Sequence, residues 1–186
     1  MEDLQIVELY LARDEQAITE TDIKYGNYCF AIAHRILDSR PDAEETVNDT
    51  YMGAWRSIPP HRPAKLNTYL GKITRRLALG KWKMYHSQKR GGGETALALE
   101  ELEECIPSKD NPEQVMEQKE LTRSLNLFLR SLPETEQRIF VCRYWYLMPV
   151  KTVAHQFGFS ESKVKSMLSR TRMKLKNHLQ KEGVLV

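Results

Sequence analysis

The chain has 186 residues with 28 Lys and Arg against 25 Asp and Glu, a net charge of +3, and 41% apolar residues. That length allows one domain or two small ones, and no apolar run is long enough to span a membrane. The first residues, MEDLQIVELY, lack the basic start and apolar core of a signal peptide, so a cytoplasmic protein is predicted. Cys29, Cys105 and Cys142 are odd in number and show no CxxC spacing, which supports neither a disulfide framework nor a zinc site. Cys29 and Cys142 read as small core residues and Cys105 as an exposed thiol.

The small net charge hides four alternating blocks. Residues 1–60 hold 5 basic and 12 acidic side chains, net −7, and residues 61–90 hold 9 and none, net +9. Residues 91–120 hold 2 and 9, net −7, and residues 121–186 hold 12 and 4, net +8. Two basic blocks separated by an acidic one predict two surfaces that meet a polyanion, joined by a segment that avoids it.

In chain order, Leu4, Val7 and Leu11 predict a first short helix. A second runs from about Asp22, with Tyr25, Cys29, Ile32, Ala33 and Ile36 on its buried face. SRPDAEE turns the chain into a third helix, where Pro41 suits the opening turn and Asp42 with Glu45 has capping-box spacing. Val47, Thr50, Tyr51, Ala54 and Ile58 form its stripe, which leaves Glu44, Glu45, Asn48, Asp49 and Met52 outside. That outer face has three readings: carboxylates complementing the helix dipole, a magnesium site at Glu45 and Asp49, or a docking surface for a basic protein.

Pro59, Pro60 and Pro63 exclude a helix over residues 58–65 and predict a stiff loop presenting His61 and Arg62. Leu66, Leu70, Ile73 and Leu77 then set the core face of a long helix. Its basic row is Lys72, Arg75, Arg76 and Lys83, with Tyr69, Trp82 and Tyr85 interleaved. Cations alternating with rings suit single-stranded or distorted nucleic acid, because bases stack on the rings while phosphates meet the charges. The bland alternative makes the rings core or boundary residues.

Residues 89–112 read as a linker by their glycines, acids and prolines, with Leu97, Leu99 and Leu102 forming a brief helical turn against a domain. GGGET lacks the Lys-Ser/Thr ending of a phosphate loop. Asn111-Pro112-Glu113 starts another helix that carries Leu121, Leu125 and Phe128 inward, and Pro133 opens the next, with Ile139, Phe140, Tyr144 and Trp145 as core. From Pro149 to Leu179 a short apolar helix with Val153, Ala154 and Phe157, a turn at Gly158, an N-cap at Ser160 and a long basic helix predict a helix-turn-helix. Val164, Leu168, Thr171, Leu175 and Leu179 face inward. In a docked motif of this kind the leading residues Glu161, Ser162, Lys163, Lys165 and Ser166 lie nearest the bases, and Arg170 and Arg172 meet phosphates. The alternative is an αα-hairpin with a solvated basic face.

The segments DAEETVNDTYMGAW, YLGKITRRLALGKWK, SLPETEQRIFVCRYWY and SESKVKSMLSRTRMKLKNHL, in this order, resemble the bacterial RNA polymerase sigma factors of the sigma-70 family, in the two-domain extracytoplasmic-function form. The resemblance implies an all-α fold without catalytic activity or cofactor. Residues 1–90 would dock on polymerase and recognise and melt the −10 element, 91–112 would be an acidic flexible linker, and 113–186 would read the −35 element. It further implies that Glu44, Glu45, Asn48, Asp49 and Met52 meet the clamp of the polymerase's largest subunits. His61, Arg62 and Asn67 would read a flipped base, and Lys72, Arg75, Arg76, Trp82 and Lys83 would hold the opened strand. The C-terminal motif would touch promoter DNA and the polymerase flap, and an anti-sigma protein is a common partner in the family. One departure is Gly80, where the family usually has Asp: either the helix bends there or a polar contact of the family is missing. Two further readings are a free-standing helix-turn-helix regulator and a metal-dependent nucleic-acid enzyme using the Asp42 to Asp49 carboxylates, for which no nucleophile with an adjacent base can be assembled.

Overall fold

A computed structural model describes residues 1–86, 93–103, 105 and 115–182, with side chains for all of these but His86 and residues 115–119. The described residues are helical: α1 (Asp3–Leu11), α2 (Gln16–Leu37), α3 (Arg40–Ser57), α4 (Leu66–His86), α5 (Gly93–Glu103), α6 (Val115–Ser131), α7 (Glu134–Tyr144), α8 (Val150–Phe157) and α9 (Glu161–Lys181). The all-α expectation holds. Internal packing divides the chain between Arg90 and Gly91 into two compact units.

In the first unit α2, α3 and α4 pack on one another and α1 lies against α2. Ile6, Tyr10, Cys29, Ile58, Leu66 and Leu70 are fully buried at their meeting. Burying an aliphatic side chain of this size contributes about 2 kcal/mol, so the apolar stripes hold this unit together. Tyr28 of α2 lays its ring end over Gly71 of α4, where an added Cβ would lie 2.6 Å from the hydroxyl. Two local expectations change. α2 starts at Gln16, six residues before the predicted Asp22. α3 is capped by Ser39, whose hydroxyl accepts from the Asp42 N–H, rather than by an Asp42–Glu45 box.

The chain leaves α3 after Ser57, ahead of the prolines, and re-enters helix at Leu66. The far end of this loop is tied down by Asp3, which accepts from the Leu66 N–H at 3.3 Å and from Lys24 at 2.8 Å. Burial opposes ionisation of Asp3, but hydrogen bonds from Lys24 and Tyr25 outweigh it and hold the carboxyl below its ordinary pKa. α4 then runs without interruption through Gly80, where an added Cβ would meet nothing within 4 Å. Gly80→Ala is therefore expected to stabilise the first unit by about 1 kcal/mol, from helix propensity alone. Urea unfolding is the check, and destabilisation would mean that the glycine serves a contact.

In the second unit α9 packs against α6, α7 and α8, and α5 packs against α7. Gly158 ends α8 with φ +67°, a backbone state that favours glycine. The Ser160 hydroxyl accepts from the Lys163 N–H at 3.2 Å and starts α9, as the spacing predicts. Val164, Leu168, Thr171, Leu175 and Leu179 are all buried. Trp145 and Cys142 are half-buried rather than core, and Cys105, expected to be exposed, is 4% accessible. The helix start expected at Asn111 to Glu113 and half of the linker lie outside the described residues. α5 buries Thr95 and Ala98 and exposes Leu97.

Candidate nucleic-acid interface and docking face

Geometry on α3 follows from its stripe. With Ala43, Thr46, Val47, Thr50 and Tyr51 turned inward, Glu44, Glu45, Asn48, Asp49 and Met52 are all exposed on one face. Beside it a cleft of about 420 Å³ opens between α2 and α3, lined by Asp22, Asn27, Phe30, Arg40, Glu44 and Asn48. The face is not purely acidic. Lys81 of α4 brings its Nζ to 2.9 Å from Glu45 Oε2 and 3.6 Å from Asp49 Oδ2. Burial opposes the charge of this ammonium, yet the two carboxylates outweigh it and raise the pKa. Lys81 was not singled out by the sequence, since nothing in the linear pattern sets this basic residue apart from its neighbours. Among the described residues no three His, Cys, Asp or Glu side chains converge, so the magnesium reading of Glu45 and Asp49 finds a lysine where a third ligand would stand.

At the proline loop His61 and Arg62 are exposed, as is Asn67. His61 Nδ1 lies 2.9 Å from the Ser57 carbonyl and its ring 6.2 Å from that of Tyr69, whose hydroxyl donates to Ser57 Oγ at 2.7 Å. Arg62 pairs with Glu8 at 3.3 Å, both side chains well exposed, and such a pair is readily exchanged for another anion. Asn67 Oδ1 accepts from the Thr68 N–H. Along α4, Lys72, Arg76 and Lys83 are exposed, whereas Arg75 and Trp82 are half-buried. Desolvation lowers the Arg75 pKa below its ordinary value.

On α9, Glu161, Ser162, Lys163, Lys165, Ser166 and Arg170 are exposed together at the leading half. Lys163 Nζ sits 3.7 Å from the centre of the Phe159 ring, an attraction that holds the lysine over the turn. Phe159 was missed because its role depends on a turn that aims it at a residue four positions later. Arg172 differs from the expectation of a solvent-facing cation: it is engaged by Tyr144 and Glu101.

Residues 24–86 match the family description Sigma-70 region 2, and residues 128–177 match Sigma-70, region 4. The chain belongs to the sigma-70 family of sigma factors. Its region 2 takes in α2 from Lys24 onward with α3, the proline loop and α4, and its region 4 runs from the end of α6 through most of α9. α5 lies outside both. Among relatives, the chain is 26% identical over 162 residues to the ECF RNA polymerase sigma factor SigE of Mycolicibacterium smegmatis, covering 86% of this chain and 60% of that protein. It is 29% identical over 155 residues to the probable RNA polymerase sigma factor RfaY of Xanthomonas campestris pv. campestris, covering 82% of this chain and 38% of that one. The chain thus spans less than two thirds of the length of both relatives.

Proposed function

We propose that this sigma-70 family chain is a promoter-specificity subunit of the extracytoplasmic-function type, which directs core RNA polymerase to promoters and leaves the chemistry to the polymerase. The observation that carries the reading is the pair of family regions in their order, one bearing an exposed acidic and polar face and a basic helix, the other a helix-turn-helix with exposed cations. Glu44, Glu45, Asn48, Asp49 and Met52 engage the polymerase clamp. His61, Arg62 and Asn67 read the −10 element, and Lys72, Arg75, Arg76, Trp82 and Lys83 hold its opened strand. α9 reads the −35 element beside the flap, with an anti-sigma protein as a further candidate partner. Among the described residues no helix is long and apolar enough to cross a membrane, and the work of such a subunit lies in the cytoplasm.

In vitro transcription with core polymerase on a genomic library, with start sites mapped, tests this: the chain should yield discrete starts sharing two spaced elements. Background synthesis from every template, despite verified assembly with polymerase, would refute it. A free-standing regulator accounts for the region 4 unit but leaves region 2 without a role.

Within α9, Lys163→Ala is expected to cost about 1 kcal/mol of discrimination at one or two positions of the −35 element. Arg170→Ala is expected to weaken binding evenly across sequences and to lower the salt slope by about one. Competition binding against a panel of variant elements separates the two, and indistinguishable profiles would contradict the division.

A further inference from the structure

Glu101 of α5 gathers three partners from the helix-turn-helix unit. Arg143 of α7 donates from Nη2 to Glu101 Oε1 at 3.1 Å and from Nε to Oε2 at 3.3 Å. The Tyr144 hydroxyl donates to Oε2 at 2.8 Å and accepts from Arg172 Nη1 at 2.7 Å, and the same Nη1 lies 3.4 Å from Oε2. Arg143 also donates from Nη1 to Glu94 Oε2 at 2.7 Å and to the Met148 carbonyl at 3.1 Å. α8, which joins α7 to α9 across the turns, has no acidic residue in VKTVAHQF. The carboxylates that pair with Arg143 here, and the one 3.4 Å from Arg172, stand on α5, a helix outside both family regions.

Arg172 is 17% exposed, while Lys165 and Lys176, two turns before it and one turn after it on the same side of α9, are exposed. A row of three cations thus has its middle member occupied by the chain's own carboxylate. A carboxylate and a phosphate offer a guanidinium the same pair of oxygens, so one can stand in for the other. Glu101 has a second cation of its own in Arg143. If Arg172 turns outward, Glu101 keeps a counter-charge, and no unpaired buried charge is left behind.

We propose that Glu101 occupies on Arg172 the place of a DNA phosphate, so that duplex binding by the region 4 unit exchanges this carboxylate of α5 for one phosphate of the backbone. The exchange rests on the reading of α9 as the duplex-contacting helix. It makes α5 a sequence-independent brake on binding: every duplex has to displace the same ion pair, whatever its bases. Glu94, which meets Arg143 but has no contact with Arg172, lies outside the brake.

The test uses the full chain and a short random-sequence DNA duplex at low salt, read by fluorescence anisotropy. Glu101→Gln is expected to bind about threefold tighter than wild type, as suits release of one partly exposed ion pair. Adding Arg172→Ala should abolish that gain, and Glu94→Gln should leave the wild-type affinity. Equal or weaker binding by a folded Glu101→Gln chain would overturn the exchange. Should that variant fail to fold, Tyr144→Phe removes the hydroxyl that links Arg172 at 2.7 Å to Glu101 at 2.8 Å while keeping the Glu101–Arg143 pair, and it should tighten binding in the same direction; no change there would be equally fatal. Failure of these variants with promoter-directed transcription intact removes the brake and leaves the proposed function. Tighter binding by Glu101→Gln without any transcription by the wild type would do the reverse.

Discussion

Arg143→Met is expected to destabilise the C-terminal unit by about 3 kcal/mol, the lower end of the cost of removing one partner from a buried ion pair. The guanidinium is 0% exposed and donates to Glu94, Glu101 and the Met148 carbonyl. Burial opposes its charge, and the two carboxylates outweigh that effect and raise its pKa further, so the ionised form is the one packed in. Methionine fills much of the space but leaves the carbonyl of a buried residue without this donor. Glu101 keeps Tyr144 and Arg172, and Glu94 is half exposed to water, which is why the loss falls at the lower end. Urea unfolding of the full chain, followed through the transition of this unit, gives the number. Adding Glu94→Gln and Glu101→Gln to Arg143→Met should recover part of it, because the two carboxylates no longer lack the guanidinium that stood between them. A loss unchanged by that double neutralisation would show that shape, not charge, makes Arg143 necessary.

Periodicity carried most of the fold. The stripes on α3, α4 and α9 are continuous apolar faces at helical spacing, and Gly158 with Ser160 marks the turn by chemistry that depends only on near neighbours. What the sequence did not disclose is pairing across distance. Lys81 reads as one more cation in a basic run, and only the packing of α4 on α3 places it between Glu45 and Asp49. Arg143 sits in an apolar stretch that reads as core, and its acids are 42 and 49 residues away. For the same reason the acidic stretch around Glu101 looked like linker: charge against the helix-turn-helix cations argues for attraction, but nothing in the spacing shows which residues meet. The early start of α2 has a local cause, since Ala17 and Thr21 are small buried residues that complete its face without adding a large apolar signal.

Those pairings between helices bear most directly on the proposed docking face. Glu45→Lys with Asp49→Lys is expected to weaken binding to core polymerase at least ~100-fold, since two attractive charges become repulsive toward a basic partner and each like-charge contact costs several kcal/mol. Glu45 and Asp49 are 64% and 48% exposed, and their backbone lies within a continuous helix, so little of the fold depends on them. Lys81 is the exception: at 19% exposure it would face two ammonium groups in place of two carboxylates. Repulsion at that half-buried site would lower the stability of the first unit by about 1 kcal/mol and could be mistaken for the cause of lost binding. Adding Lys81→Glu separates the two effects, because it restores an ion pair of reversed polarity without restoring the acidic surface. The triple variant should therefore regain the stability of the first unit in urea unfolding and still fail to co-purify with core polymerase. Unimpaired co-purification of the double variant would move the docking surface away from α3, and recovery of binding in the triple variant would mean that the ion pair with α4, not the exposed charge, is what the polymerase requires.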